Sequence, residues 1–162
     1  MSRWLKGIIL FVVIYGLFSL SGLLFQIDPS WYNALQKPSW TPTGAVIGII
    51  WGILYAFIAG AFTLSWYKHG FEGMSQAFYI VFAINYVTNQ LFSFFQFTLK
   101  DLLLATIDTA IVAITAGALV LIYRKYSRVS SLMMIPYFLW ALFATYLAFT
   151  IYQLNSSETL LK

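Results

Sequence analysis

The chain has 162 residues, of which 61% are hydrophobic and 9% charged, so it lacks the polar surface to cover a soluble globule of this size. That balance makes it an integral membrane protein and excludes a separate soluble catalytic domain. The net charge of +4 is spread over loop ends, which speaks for topology signals and against nucleic-acid binding, and the absence of cysteine removes disulfide and thiolate chemistry.

Hydrophobic runs recur at 7–25, 44–66, 74–99, 102–123 and 132–154, each near the ~20 residues with which a helix crosses the hydrocarbon layer. An all-α bundle of five transmembrane helices is predicted, one domain over residues 1–162. Arg3 and Lys6 precede the first run, but it is longer than a signal-peptide core and lacks a small-residue cleavage site, so it reads as a span. Between the first two runs lies Trp31-Tyr32-Asn33-Ala34-Leu35-Gln36-Lys37-Pro38-Ser39-Trp40-Thr41-Pro42. Its prolines remove backbone freedom and its rings offer flat faces, so this loop is expected to hold a shape.

In the second run Gly44, Gly48, Gly52, Ala56 and Gly60 recur at every fourth position, a strip that lets another backbone approach closely. Packing inside the bundle is the expected use, with a subunit interface as the alternative. Trp51 and Tyr55 are one turn apart, while Trp4 and Trp66 at span ends suit an aromatic belt at the membrane interface. In the third run Asn85, Asn89, Phe92, Ser93 and Gln96 share one helical face, which must meet other helices or a polar cavity because unpaired amides in hydrocarbon are costly. Asp108, well inside the fourth run, is either a structural latch or a ligand or proton group; Ala105, Thr109, Ala113 and Gly117 repeat the small-residue pattern. In the fifth run Pro136 suits a first helical turn, and Ala144 and Ala148 leave room beside Trp140.

The only histidine is His69, in a short loop, and no zinc or phosphate-binding motif is present, so neither a metal nor a cofactor is expected. A cavity in such a bundle suits a metal-free planar ligand better than a haem. Arg3, Lys6, Lys68, Arg124, Lys125 and Arg128 fall on one side of the membrane and Lys37, Lys100 and Lys162 on the other, which predicts a cytoplasmic N-terminus and an external C-terminus.

The pattern W-Y-x-x-L-x-K-P-x-W-x-P from Trp31 to Pro42 is similar to that of the translocator protein family (TspO, or peripheral benzodiazepine receptor), in its bacterial type. Further matches are Trp51 with Leu54, Tyr55 and Trp66, then Asn89 with Ser93, Asp108, and Pro136-Tyr137 through Trp140, Phe143, Ala144, Thr145 and Leu147 to Asn155. The resemblance implies a five-helix bundle in a bacterial cell membrane, often a homodimer, linked to stress responses and binding porphyrins such as protoporphyrin IX or benzodiazepine- and isoquinoline-type ligands. The candidate ligand site comprises Trp31, Tyr32, Pro42, Trp51, Tyr55, Asn89, Phe92, Gln96, Asp108, Tyr137, Trp140, Ala144 and Ala148. Trp51 and Trp140 are also the candidates for a light- and oxygen-dependent breakdown of porphyrin. Transport of a hydrophobic solute, sterols included, and sensing through a partner protein stay open as alternatives. Thr43, Phe92, Gln96 and Ala148 depart from the family's usual residues, so the pocket is expected to be reshaped. The family's sterol motif is absent after Tyr152; a loose match spans Leu121 to Lys125.

Overall fold

The computed structural model describes residues 2–160, and the expected charge of Lys162 lies outside them. Five helices are long and apolar enough to cross a membrane. They are α1 (Arg3–Leu24), α3 (Gly44–His69), α4 (Gln76–Ser93) extended by a π-helical turn (Phe94–Thr98), α5 (Leu102–Tyr123) and α6 (Arg128–Leu154). A short α2 (Pro29–Ala34) precedes α3. Each starts at a polar cap whose oxygen receives a backbone N–H of the first turn: Ser2, Asp28, Thr43, Ser75, Asp101 and Ser127. The cap at Thr43 gives that departure from the family's proline a local role. Gly70, at φ 70°, ends α3 in a backbone conformation that glycine adopts without strain.

Polar caps set the helix starts, joined only at α2 by a proline, Pro29, in the first turn. Helix α6 begins at Arg128, so Pro136 lies in its third turn and not its first, a correction to the expected boundary. The proline is outward-facing there and withholds only the N–H that the Leu132 carbonyl would receive, a defect that transmembrane helices tolerate.

The helices close into a ring in the order α1, α3, α6, α5, α4 and back to α1, so α3 and α4, consecutive in the chain, are not principal neighbours. Outward-facing Val12, Ile53, Ile114, Leu121 and Leu139 give the ring an apolar exterior, as an integral membrane protein requires. Inside, Phe18, Ile58, Phe62, Phe78, Leu119, Tyr123 and Met134 form the core. Trp66 belongs to it, against the expectation of a belt: it is 9% exposed and packs into the interior cluster. Trp4, 71% exposed, stays outside. Tyr123 is fully buried, which removes the ring of the loose sterol motif from the lipid face.

The small-residue strip of α3 has two fates. A Cβ on Gly60 would come within 2.5 Å of Met133 Cε of α6, so close packing uses that end; Gly44 and Gly48 have nothing within 4 Å and face empty space. On α5, Gly117 would meet the Phe138 ring at 3.0 Å, and buried Ala105 and Ala113 continue a tight seam.

Candidate functional site

The empty space beside Gly44 and Gly48 is a cavity of about 360 Å³ at the end of the ring that carries the Trp31–Pro42 segment. All five spanning helices contribute: Ser19, Ser21 and Gly22 from α1; Trp51, Gly52 and Tyr55 from α3; Asn89, Phe92 and Ser93 from α4; Thr109 and Val112 from α5; Ala141 and Ala144 from α6. Phe97 of the π turn, Tyr32 of α2 and Ile27 complete the wall, in which no side chain carries a formal charge. Gly22, Ile27, Gly44 and Gly48 are exposed, so the cavity meets the surface between α1 and α3.

Of the candidate residues, Tyr32, Trp51, Tyr55, Asn89, Phe92 and Ala144 therefore meet around one space. Asn89 is oriented there by three neighbours, since its oxygen accepts from Tyr55 Oη at 3.1 Å and from Gln90 Nε2 at 3.4 Å, and its amide donates to Tyr137 Oη at 3.4 Å. Tyr137 is fully buried behind this layer and donates to Asn85 Oδ1 at 3.0 Å. Asn85 in turn donates to Val112 O and Thr115 Oγ1, which satisfies its whole amide by interhelical bonds. The amide stripe thus divides, with Asn85 joining helices and Asn89 facing the cavity.

The remaining candidates lie outside the wall. Trp140 stands behind Trp51, ring centroids 6.4 Å apart and nearly perpendicular, with its Nε1 buried and unpaired. Gln96 is buried in the π turn, off the cavity. There the chain bonds from Leu99 N to Phe94 O, and the extra residue per turn under-rotates the helix and brings Phe97 into line below Ser93. Asp108 is 3% exposed, its Oδ2 has no partner, and among the described residues no lysine reaches it. Ala148 is half-buried one turn beyond Ala144, and Pro42 leads into the Thr43 cap.

Trp31 serves the fixing of the lid. Its Nε1 donates to Glu158 Oε2 at 3.1 Å, and Lys100 Nζ lies 5.4 Å from its ring centroid. Lys100 also forms the one ion pair among the described residues, 2.8 Å to Asp28 Oδ2, and does so from a left-handed backbone (φ 54°) that a non-glycine residue adopts only under strain. The hydrogen bond and charge of Lys100 hold the Asp28 carboxyl below its usual range. A third tie is two-way: Gln36 N donates to Asn155 Oδ1 at 2.9 Å while Asn155 Nδ2 donates to Gln36 O at 2.8 Å. Burial pushes the Tyr32 phenol up, so the lid presents a neutral ring and hydroxyl to the cavity.

Sequence reasoning did not place Ser19, Ser21, Gly22, Ile47, Phe97, Val112 and Ala141 in the wall. The signal available for α3 was its glycine strip beside Trp51, where a side-chain-free surface and an indole share one helix. The α1 contribution had no signal, because serines in a span read equally well as packing residues.

Fold and site together define a five-span membrane protein with an uncharged, aromatic-walled cavity under a tethered lid. The chain belongs to the TspO/MBR family, whose profile matches residues 8–154. It is 48% identical over 155 residues to the uncharacterized membrane protein YtaB of Bacillus subtilis, covering 96% of this chain and 99% of that one. It is 49% identical over 150 residues to the tryptophan-rich protein TspO of Bacillus cereus, covering 93% and 97%. The human translocator protein is 27% identical over 132 residues, covering 77% and 75%.

Proposed function

We propose that the chain binds a planar, largely apolar molecule of the tetrapyrrole class, protoporphyrin IX being the reference ligand, in the cavity between its spans. The observation that carries this reading is the wall itself. Trp51, Tyr55, Phe92, Phe97 and Tyr32 supply flat faces, while Gly48, Gly52, Ala141 and Ala144 leave the room that a slab-shaped ligand needs. Its volume lies in the ~300–1,000 Å³ range of small-molecule sites. Asn89, Ser93 and Thr109 would meet ring nitrogens or edge groups, and neutral polycyclic ligands of the benzodiazepine and isoquinoline type fit the same chemistry. Tyr137 would act on the ligand through Asn89, and Trp31 and Pro42 through the lid. By the positive-inside rule the end bearing Arg3, Lys68 and Arg128 faces the cytoplasm and the lid faces outward. Titration with protoporphyrin IX, read by tryptophan fluorescence, is expected to saturate in the native chain and to weaken in Trp51→Ala; quenching that never saturates overturns the reading.

The stacked order of Trp51 at the wall and Trp140 behind it favours a second step. In light, the excited porphyrin would take one electron from Trp51, which Trp140 would refill, and dioxygen would take that electron from the porphyrin anion to become superoxide, the oxidant that then attacks the ring. Trp51→Phe and Trp140→Phe are expected to keep binding and to slow the loss of porphyrin absorbance under illumination; an unchanged loss removes the indoles from the chemistry.

A further inference from the structure

At the opposite end of the ring, on its outer face, α1 and α3 leave a second groove of about 350 Å³. It is built from two matched stripes, Trp4, Gly7, Ile8 and Phe11 on α1 and Gly60, Thr63, Leu64 and Tyr67 on α3, each following the i, i+3, i+4, i+7 spacing of one helical face. Its walls are apolar apart from Thr63 and the Tyr67 hydroxyl. Thr88, Thr106, Thr109, Thr115, Thr145 and Thr150 all donate their hydroxyls to a carbonyl of their own helix. Thr63 does not: its Oγ1 is buried and has no partner. Sealed as well as unpaired, that oxygen does not reach the groove, which therefore offers an occupant apolar contact along its length.

The end of the groove is charged. Arg3, one turn before Gly7, has its guanidinium 5.0 Å from the Tyr67 ring centroid and donates one N–H to Tyr67 O. That fixes the group at the groove mouth and leaves most of its five donors unused. No carboxylate pairs with it, since the one ion pair among the described residues is Lys100–Asp28. An unneutralised, oriented guanidinium selects phosphate.

We propose that this groove is a binding site for an anionic phospholipid of the surrounding membrane. The phosphate lies on Arg3 and an acyl chain runs along Ile8, Phe11 and Leu64. Tyr67, which holds Arg3, and Gly60 are the two ends of the α3 stripe, about 10 Å apart at 1.5 Å per residue, so the groove runs inward from the phosphate level as an acyl chain does.

Native mass spectrometry of the delipidated full chain, offered equal amounts of dioleoyl phosphatidylglycerol and dioleoyl phosphatidylcholine, tests this. One phosphatidylglycerol is expected to be retained over phosphatidylcholine by about five-fold, the worth of one basic side chain against anionic lipid. Arg3→Gln should erase that preference. Ile8→Trp should fill the groove and remove the adduct. Equal retention of the two lipids by the native chain, a preference that survives Arg3→Gln, or an adduct that survives Ile8→Trp overturns the proposal. So does a dimer that Ile8→Trp dissociates with no lipid retained, which would make the occupant a second copy. If Ile8→Trp melts early, Arg3→Gln decides: the preference for phosphatidylglycerol must disappear in it.

Discussion

Asn85 and Asn89 lie one turn apart on α4, yet their partners give them different tasks. Asn85 spends both donors on α5 and accepts from Tyr137, so its loss would strand a buried phenol. Asn85→Ala is expected to destabilise the bundle by about 1–3 kcal/mol, the cost of a buried group left unpaired, with little change in ligand affinity at a temperature where the fold persists. Asn89→Ala should show the opposite balance, with a small loss of melting temperature and weaker porphyrin binding, because its amide also faces the cavity. Thermal melting in detergent together with fluorescence titration separates the two, and equal effects on both readouts would contradict the assignment.

At the scale of elements, the lid is secured by contacts distant in the chain: Lys100 with Asp28, Trp31 with Glu158, and Gln36 with Asn155. The segment after α6 is itself anchored, because Asp101 accepts from Leu160 N at 2.8 Å and from Thr159 Oγ1 at 3.1 Å. Burial raises the Asp101 carboxyl, but the backbone N–H groups of Leu104 and Leu160 and the Thr159 hydroxyl outweigh it and hold the group below its ordinary value. Asp28 is lowered as well, mainly by its hydrogen bond to Lys100. A carboxyl lowered in the folded state contributes stability above its unfolded value of 3.8, and that contribution is lost as pH falls through the folded value. Lid amides should therefore exchange at a pH-independent degree of protection from neutrality down to about pH 4 and lose protection only below it. Asn155→Ala, which removes a tie that does not titrate, should raise exchange of Gln36 at every pH. Hydrogen exchange read by mass spectrometry checks both, and protection lost near pH 6 would contradict the carboxylate ties.

Over the whole molecule, one glycine-rich pattern serves both packing and space, and substitution distinguishes them. Gly117→Leu drives a side chain into the Phe138 ring and is expected to cost about 1–3 kcal/mol by overpacking. A Cβ on Gly48 would meet nothing within 4 Å, so in Gly48→Leu the bundle should keep its melting temperature while the new side chain occupies the cavity and porphyrin binding falls. A Gly48→Leu protein that binds porphyrin as the native chain does would place the ligand elsewhere.

The sequence alone determined the membrane class, the five spans to within a few residues, and the family-like segment from Trp31 to Pro42. Those features are written in composition and local periodicity, which depend only on near neighbours in the chain. It also placed Trp51, Tyr55, Asn89 and Phe92 correctly on their helices. Which of them meet was decided by the ring order, which puts α6 and not α4 beside α3, and by the π turn, which exchanges Gln96 for Phe97 at the wall. The split of the α3 strip was decided in the same way, because Met133 of α6 closes on Gly60 while nothing closes on Gly48. A glycine records only that space is needed. Whether another helix or a ligand takes that space depends on residues far away in the chain, and tertiary packing alone brings them together.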